Sequence, residues 1–418
     1  MIGLLTLVSV NMAIAQTNYD ETQVPDYTLP ELLVRNNGQT VKSVRDWEKY
    51  RRPEILSLFE THVHGKTLAE EISSFEVTSV DKNALGGQAT RKEISLYLSA
   101  DKSKSIQVLL YVPNKRKGPA PLFVGLNYAG NQSVSKDPDV QLTKLWTRYG
   151  KEPGFPDGYA AEGSRGFSER RWPLELIIEN GYGVATAYYG DVQLDRADID
   201  EGDESFHHWF EQQTGTKKEA DSWGSIGVWA WELSKIMDYL EEDPDVNHER
   251  VAVVGHSRLG KTALWAAAQD QRFALAISNN SGEGGAALAR RQFGERIADL
   301  NKNFPHWFAD NFKLYDGKES ELPVDFHQLI ALIAPRPVYV ASASEDRWAD
   351  PKGEYLSLYH ASPVYQLYGE PTLSSDEPPA VGETRLEGKQ GYHIREGKHD
   401  ILAYDWERYI RFADRYLK

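Results

Sequence analysis

The sequence predicts an α/β fold: a three-layer αβα sandwich whose central sheet is mostly parallel, with antiparallel strands at its N-terminal edge. Three features point there. Short apolar runs alternate with helix-length segments along most of the 418 residues, at the spacing of strands joined by right-handed crossovers. Val251-Ala-Val-Val-Gly-His-Ser257 is an apolar run that breaks at a serine and gives way to the alanine-rich segment 262–268, which reads as buried strand, sharp turn and packed helix. Lastly, a carboxylate-bearing segment and a histidine follow that serine, each just past a late apolar run.

Residues 2–15 are apolar and end in Ala13-Ile-Ala15, the small-x-small pattern of a secretory signal over 1–15. The run is too short to span a bilayer. It lacks the usual basic flank, the first basic residue being Arg35, and no cysteine follows to accept a lipid. A soluble periplasmic or secreted protein is expected. Residues 16–70 are polar and interrupted by Pro25, Pro30 and Pro53, with helical patches at 41–51 and 53–61. They read as a lead-in packed on a single catalytic domain over 71–418.

Within that domain, 75–81, 89–98 and 106–112 read as antiparallel edge strands between turn signals such as Gly86-Gly87. A short buried strand at 121–126 opens into Asn127-Tyr-Ala-Gly-Asn131, and 181–189 supplies another strand. Two insertions interrupt the pattern: 132–172, with little periodicity, and 191–223, acidic and aromatic. Loops of such length are usually functional or disordered. The segment 227–241 is an amphipathic helix with Trp229, Trp231, Leu233, Ile236 and Leu240 as its apolar stripe. After the strand at 251–255, later strands are expected at 274–278, 334–342 and 391–394, with a terminal helix at 406–416. No internal repeat or low-complexity tract is present.

Composition narrows the chemistry. A net charge of -15 argues against a nucleic-acid or anionic-membrane surface, both of which reward clustered Lys and Arg. The absence of cysteine excludes thiol catalysis, disulfides and cysteine-bound metals. His62-Val-His64 and His207-His208 lack further ligands at metal spacing, so neither a metal nor another cofactor is expected.

A sharp strand-to-helix turn would lift the Ser257 hydroxyl above the sheet and aim backbone N–H groups at a developing oxyanion. Gly255 supplies the minus-two glycine of such an elbow, but plus two is Leu259 and the next glycine is Gly260. Taken alone, the fragment also fits an ordinary turn with an N-capping serine. The serine needs a base to take its proton, and α/β hydrolases place the partners in the chain order Ser, Asp/Glu, His. That order is met here. Asp346 is the assigned acid, with Glu345 its neighbouring rival, and His399 in Glu396-Gly-Lys-His399 is the assigned base. The loop 127–131 occupies the place from which this fold draws its second oxyanion donor.

Five motifs in order, Gly255-His-Ser-Arg-Leu-Gly-Lys261, Asn279-Asn-Ser-Gly-Glu-Gly-Gly285, Asn303-Phe-Pro-His-Trp-Phe308, Glu345-Asp-Arg-Trp-Ala-Asp350 and Gly397-Lys-His399, resemble the bacterial glucuronoyl esterases, carbohydrate esterase family 15. The similarity runs from about residue 121 to the C-terminus. It implies a metal-free serine esterase cleaving the ester between 4-O-methyl-glucuronic acid on xylan and a lignin alcohol, with Ser257 as nucleophile and His399 as base and then acid. It further implies Arg258 as an oxyanion contributor, and Lys261, Glu295 and Trp348 as contacts to the uronate ring. Lys261 lies one helical turn from Ser257 and so shares its face.

Two departures from the family pattern stand out. Fungal members carry a disulfide-bonded cysteine where this chain has His256. Many members place the triad carboxylate where this chain has Asn280, so the acid role falls to Asp346, with Glu283 a further rival. A xylan acetyl esterase, a general carboxylesterase, or a carbohydrate-binding relative without catalysis are the other readings of the same chain, and a monomer is expected.

Overall fold

The computed structural model describes residues 17–67, 72–199 and 205–418. The apolar segment 1–15 and residues 200–204 of the second insertion lie outside the described residues. Among the described residues ten strands form one sheet: β1 (Ser74–Asn83), β2 (Ala89–Tyr97), β3 (Ser105–Pro113), β4 (Ala120–Asn127), β5 (Gly183–Tyr188), β6 (Val246–His256), β7 (Leu275–Asn279), β8 (Val338–Ala343), β9 (Thr384–Glu387) and β10 (Gln390–Arg395). Their spatial order is β1-β2-β3-β5-β4-β6-β7-β8-β10-β9. The pairs from β5 through β10 are parallel; β1, β2 and β3 join antiparallel at one edge and β9 at the other. The mostly parallel α/β sandwich read from the sequence is therefore the fold.

Side-chain alternation along β6 shows why three layers form. Val251 and Val253 pack with Trp229 and Leu264, from the helices Ser225–Leu240 and Arg258–Gln269, on one face of the sheet. Ala252 and Val254 pack with Ile177, Trp406 and Tyr409, from Leu174–Glu179 and Ala403–Leu417, on the other. Both faces are covered, so the central strands are apolar throughout.

The differences from expectation are local. β9 reads Thr-Arg-Leu-Glu, too short and polar to show a strand period. The strand expected at 334–342 begins only at Val338, because Pro335 and Pro337 have no N–H for a ladder. The two N-terminal helical patches join into one path through the wider turn Trp47–Arg51 and the helix Arg52–His62. The insertion 132–172 is built of short turns with buried Gln132, Ser133, Thr147 and Ser164. The lead-in crosses the later half of the chain, where Asn18 O accepts from Gly294 N–H at 2.8 Å and Arg291 pairs with Glu21 at 2.7 Å.

Candidate active site

The neighbouring parallel strands β6, β7, β8 and β10 end on one side of the sheet, where ligands of open α/β sheets bind. Ser257 follows β6, Asn280 follows β7, Asp346 lies three residues past β8 and His399 four past β10. Strand order thus gathers residues up to 142 positions apart in sequence (257 to 399).

Ser257 sits at φ 57°, ψ -129°, a strained conformation that a non-glycine residue holds only where its surroundings enforce it. Its N–H donates to Asn279 O at 2.8 Å, and its carbonyl accepts from Gly260 and Lys261 N–H as the helix begins. Gly255 is required sterically, since a Cβ there would lie 1.8 Å from Leu259 O. Gly260 is the second close approach, with a hypothetical Cβ 3.1 Å from Gly255 O and from Ser281 Cβ. The glycine that arrives one residue late therefore still lies in the tight seam between helix and strand ends. The N–H groups of Arg258 and Leu259 precede the first bonds of the helix Arg258–Gln269, directly after the Ser257 turn.

His399 Nδ1 and Asp346 Oδ2 are 2.6 Å apart. A carboxylate only accepts, so Nδ1 carries the proton and Nε2 is left as the basic nitrogen. Asp346 is buried while the His399 side chain is 42% exposed toward solvent. The same Asp346 oxygen accepts from Asn280 Nδ2 at 2.9 Å. The rivals are elsewhere: Glu345 is exposed, and Glu283 is buried with Oε1 unpartnered, its carboxyl pushed well up by burial.

Ser257, Arg258 and His399 line one cleft with His256, Tyr128 and Arg171. Arg148 and Tyr149, from the first insertion, reach it as well. The His256 ring lies 4.5 Å from that of His399, and its Nδ1 is 2.6 Å from Asn279 Oδ1. Asn279 Nδ2 in turn donates to Tyr409 Oη at 2.8 Å, which orients the amide so that His256 Nδ1 is the donor. Burial first, and the neighbouring His399 second, hold His256 well below the ordinary histidine range, so it is neutral. Tyr128, from the loop after β4, donates its hydroxyl to His256 O.

The remaining predicted residues form a second group. Lys261 is enclosed, its Nζ donating to Ser281 O and, at 2.6 Å, to Glu283 O, and lying 3.7 Å from Glu295 Oε2. Burial raises the Glu295 carboxyl, opposed by Lys261 and a hydrogen bond from Trp348. Glu295 N–H donates to Trp348 O at 2.8 Å, and the Trp348 side chain is partly open. Arg258 bonds to Asp195 and packs over Trp307, 4.5 Å from ring centre to guanidinium carbon. Asp195 was invisible in the sequence because it lies inside an insertion with no motif around it. His306 and Trp307, which also bond to it, stand in one of the five motifs.

A family model for fungal glucuronyl esterases matches residues 174–369. A carbohydrate esterase from an unknown prokaryotic organism is 45% identical over 401 residues, covering 96% of this chain and 92% of the relative. The chain belongs to the glucuronoyl esterases, carbohydrate esterase family 15. The solved glucuronoyl esterase from Solibacter usitatus is 44% identical to it with a TM-score of 0.89, covering 95% of this chain and 100% of that one. The family 15 glucuronoyl esterase from Teredinibacter turnerae is 35% identical with a TM-score of 0.78, covering 93% and 89%. A 4-O-methyl-glucuronoyl methylesterase from Phanerochaete carnosa is 26% identical over 397 residues. This glucuronoyl esterase is thus a carboxylic ester hydrolase with the α/β-hydrolase fold. Among its described residues, no group of three or more His, Asp or Glu could hold a metal ion, and no helix is long and apolar enough to cross a membrane.

Proposed function

We propose that the enzyme hydrolyses the ester between (4-O-methyl-)glucuronic acid of glucuronoxylan and a lignin alcohol, through a Ser257–His399–Asp346 triad. The observation that carries this is the 2.6 Å contact of His399 Nδ1 with buried Asp346, opening on the cleft that holds the strained Ser257. Ser257 Oγ attacks the ester carbonyl as His399 Nε2 takes its proton. The alcohol then leaves with that proton, and water, deprotonated by His399, releases the uronic acid from the acyl-enzyme. The Arg258 N–H and guanidinium stabilise the tetrahedral oxyanion.

Lys261, Glu295 and Trp348 form the uronate subsite: Glu295 accepts from ring hydroxyls, Trp348 offers an apolar face to the pyranose, and Lys261, 3.7 Å from Glu295 Oε2, supplies the positive charge beside it. The relatives named as 4-O-methyl-glucuronoyl methylesterases support the uronate side of the substrate. We further propose that the enzyme acts as a monomer, exported to the periplasm or medium by residues 1–15. Turnover of benzyl or methyl glucuronate against p-nitrophenyl acetate tests the substrate class; a strong preference for the acetate would sink it. Ser257→Ala is expected to abolish turnover while the fold persists.

A further inference from the structure

Asp195 is a heavily bonded carboxylate beside the cleft. Its side chain is 2% exposed. Oδ2 accepts from Arg258 Nη1, from Arg148 Nη1 at 3.0 Å and from the Tyr189 hydroxyl at 3.1 Å. Oδ1 accepts from Trp307 Nε1 at 2.7 Å and His306 Nε2 at 2.9 Å. These donors come from four separate parts of the chain, and one of them, Arg258, directly follows the nucleophile and lines the same cleft.

Arg258 is correspondingly fixed. Its guanidinium lies between Asp195 and the faces of Trp307 and Phe304, two rings stacked 3.7 Å apart. Its Nε–H is buried and has no hydrogen-bond partner. An arginine on a free three-methylene arm must be ordered at the moment of reaction, whereas a donor already held in place stabilises developing charge without reorganisation. The guanidinium is thereby held in place on a residue that lines the cleft with Ser257 and His399.

We infer that Asp195 is a positioning residue of this esterase: it holds the Arg258 guanidinium in one orientation beside Ser257, and it offsets positive charge that would otherwise retain the anionic acid product. The second insertion, 191–223, thereby contributes to the active site. The inference rests on the reading of Arg258 as an oxyanion contributor.

The test is a double-mutant cycle of Asp195→Asn and Arg258→Ala on benzyl glucuronate, with inhibition by free glucuronate measured alongside. Asp195→Asn is expected to lower kcat about 10- to 100-fold, somewhat less than outright loss of an oxyanion donor. KM should stay within about threefold, and glucuronate should inhibit more tightly because the cleft loses a negative charge. In the Arg258→Ala background, Asp195→Asn should change kcat by less than about twofold. Equal losses in both backgrounds, or no loss in the first, overturn the inference. Should the Asn variant fail to fold by near-ultraviolet circular dichroism, Asp195→Glu enters the same cycle, with a smaller loss that must likewise vanish without Arg258. If Arg258→Ala itself keeps kcat, the reading of Arg258 fails. If Arg258→Ala loses kcat and Asp195→Asn does not, only the role of Asp195 fails.

Discussion

Asn280 Nδ2 donates to Asp346 Oδ2 at 2.9 Å, on the same oxygen that faces His399 Nδ1 at 2.6 Å. The amide belongs to the turn after β7 and the carboxylate to the loop after β8, so their bond ties two neighbouring strand ends beneath the base. A carboxylate fixed in direction by one donor fixes the imidazole that meets it.

Asp346→Asn should therefore lower kcat by about 10³- to 10⁴-fold, since an amide cannot enforce the tautomer that leaves Nε2 basic. Glu345→Gln, on an exposed side chain, should stay within about twofold. Steady-state kinetics of the two variants on one ester, with thermal unfolding as a fold control, separates the adjacent carboxylates. Collapse in Glu345→Gln with survival of Asp346→Asn would reverse the assignment.

Asn280→Asp places a second carboxylate against the first. Like charges at such range raise carboxyl protonation, and the added negative charge also stabilises the protonated His399. The second effect keeps the base protonated to higher pH once both carboxyls are ionised. The acidic limb of the kcat/KM profile should move upward by about one pH unit, read from rates between pH 4 and 9. A limb that stays in place, or moves down, would show that Asn280 does not feel the His399–Asp346 pair.

Gly255 and Gly260 make a steric prediction. A methyl at 255 meets a backbone carbonyl at 1.8 Å, which nothing flexible can relieve, whereas at 260 the contacts begin at 3.1 Å. Gly255→Ala should cost about 3 kcal/mol or more and abolish activity, while Gly260→Ala should fold and keep part of its turnover. Denaturant unfolding together with kcat for the pair checks the contrast. Equal tolerance would mean that the Ser257 turn is not locked by this seam.

These residues also show what a sequence can reveal. The β6 elbow and the order of Ser257, Asp346 and His399 were legible because each sits at the end of an apolar strand, and strand ends of a parallel sheet share one side. Lys261 follows Ser257 by one helical turn, but its enclosure under the carbonyls of Ser281 and Glu283 depends on how the glycine-rich turn folds back. Asp195 could not be found at all. Its partners Arg148, Tyr189, Arg258 and His306-Trp307 come from segments with no common period, and only tertiary folding makes one carboxylate serve them. Long polar insertions hide such groups because local propensity says nothing about which distant donors they will meet.

Glu354 offers a pH test of the scaffold beneath the triad. It is fully buried; Oε1 accepts from Gly282 N–H at 3.0 Å and Oε2 from Ser342 Oγ at 2.6 Å. Burial pushes its carboxyl up to about 8 from an ordinary 4.5, opposed by those donors and reinforced by nearby Asp346. The folded protein therefore keeps a proton on Glu354 across a range where the unfolded chain has released it. By linkage, that contribution to stability is full below about pH 4.5, is lost progressively as pH rises toward about 8, and is flat beyond. Glu354→Gln stays neutral throughout, so its unfolding free energy should fall less steeply over this window. Relative to wild type, the variant should gain on the order of 3 kcal/mol between pH 5 and pH 8. Urea unfolding at half-unit pH steps measures the difference directly; parallel curves for variant and wild type would show that Glu354 is already ionised in the folded enzyme.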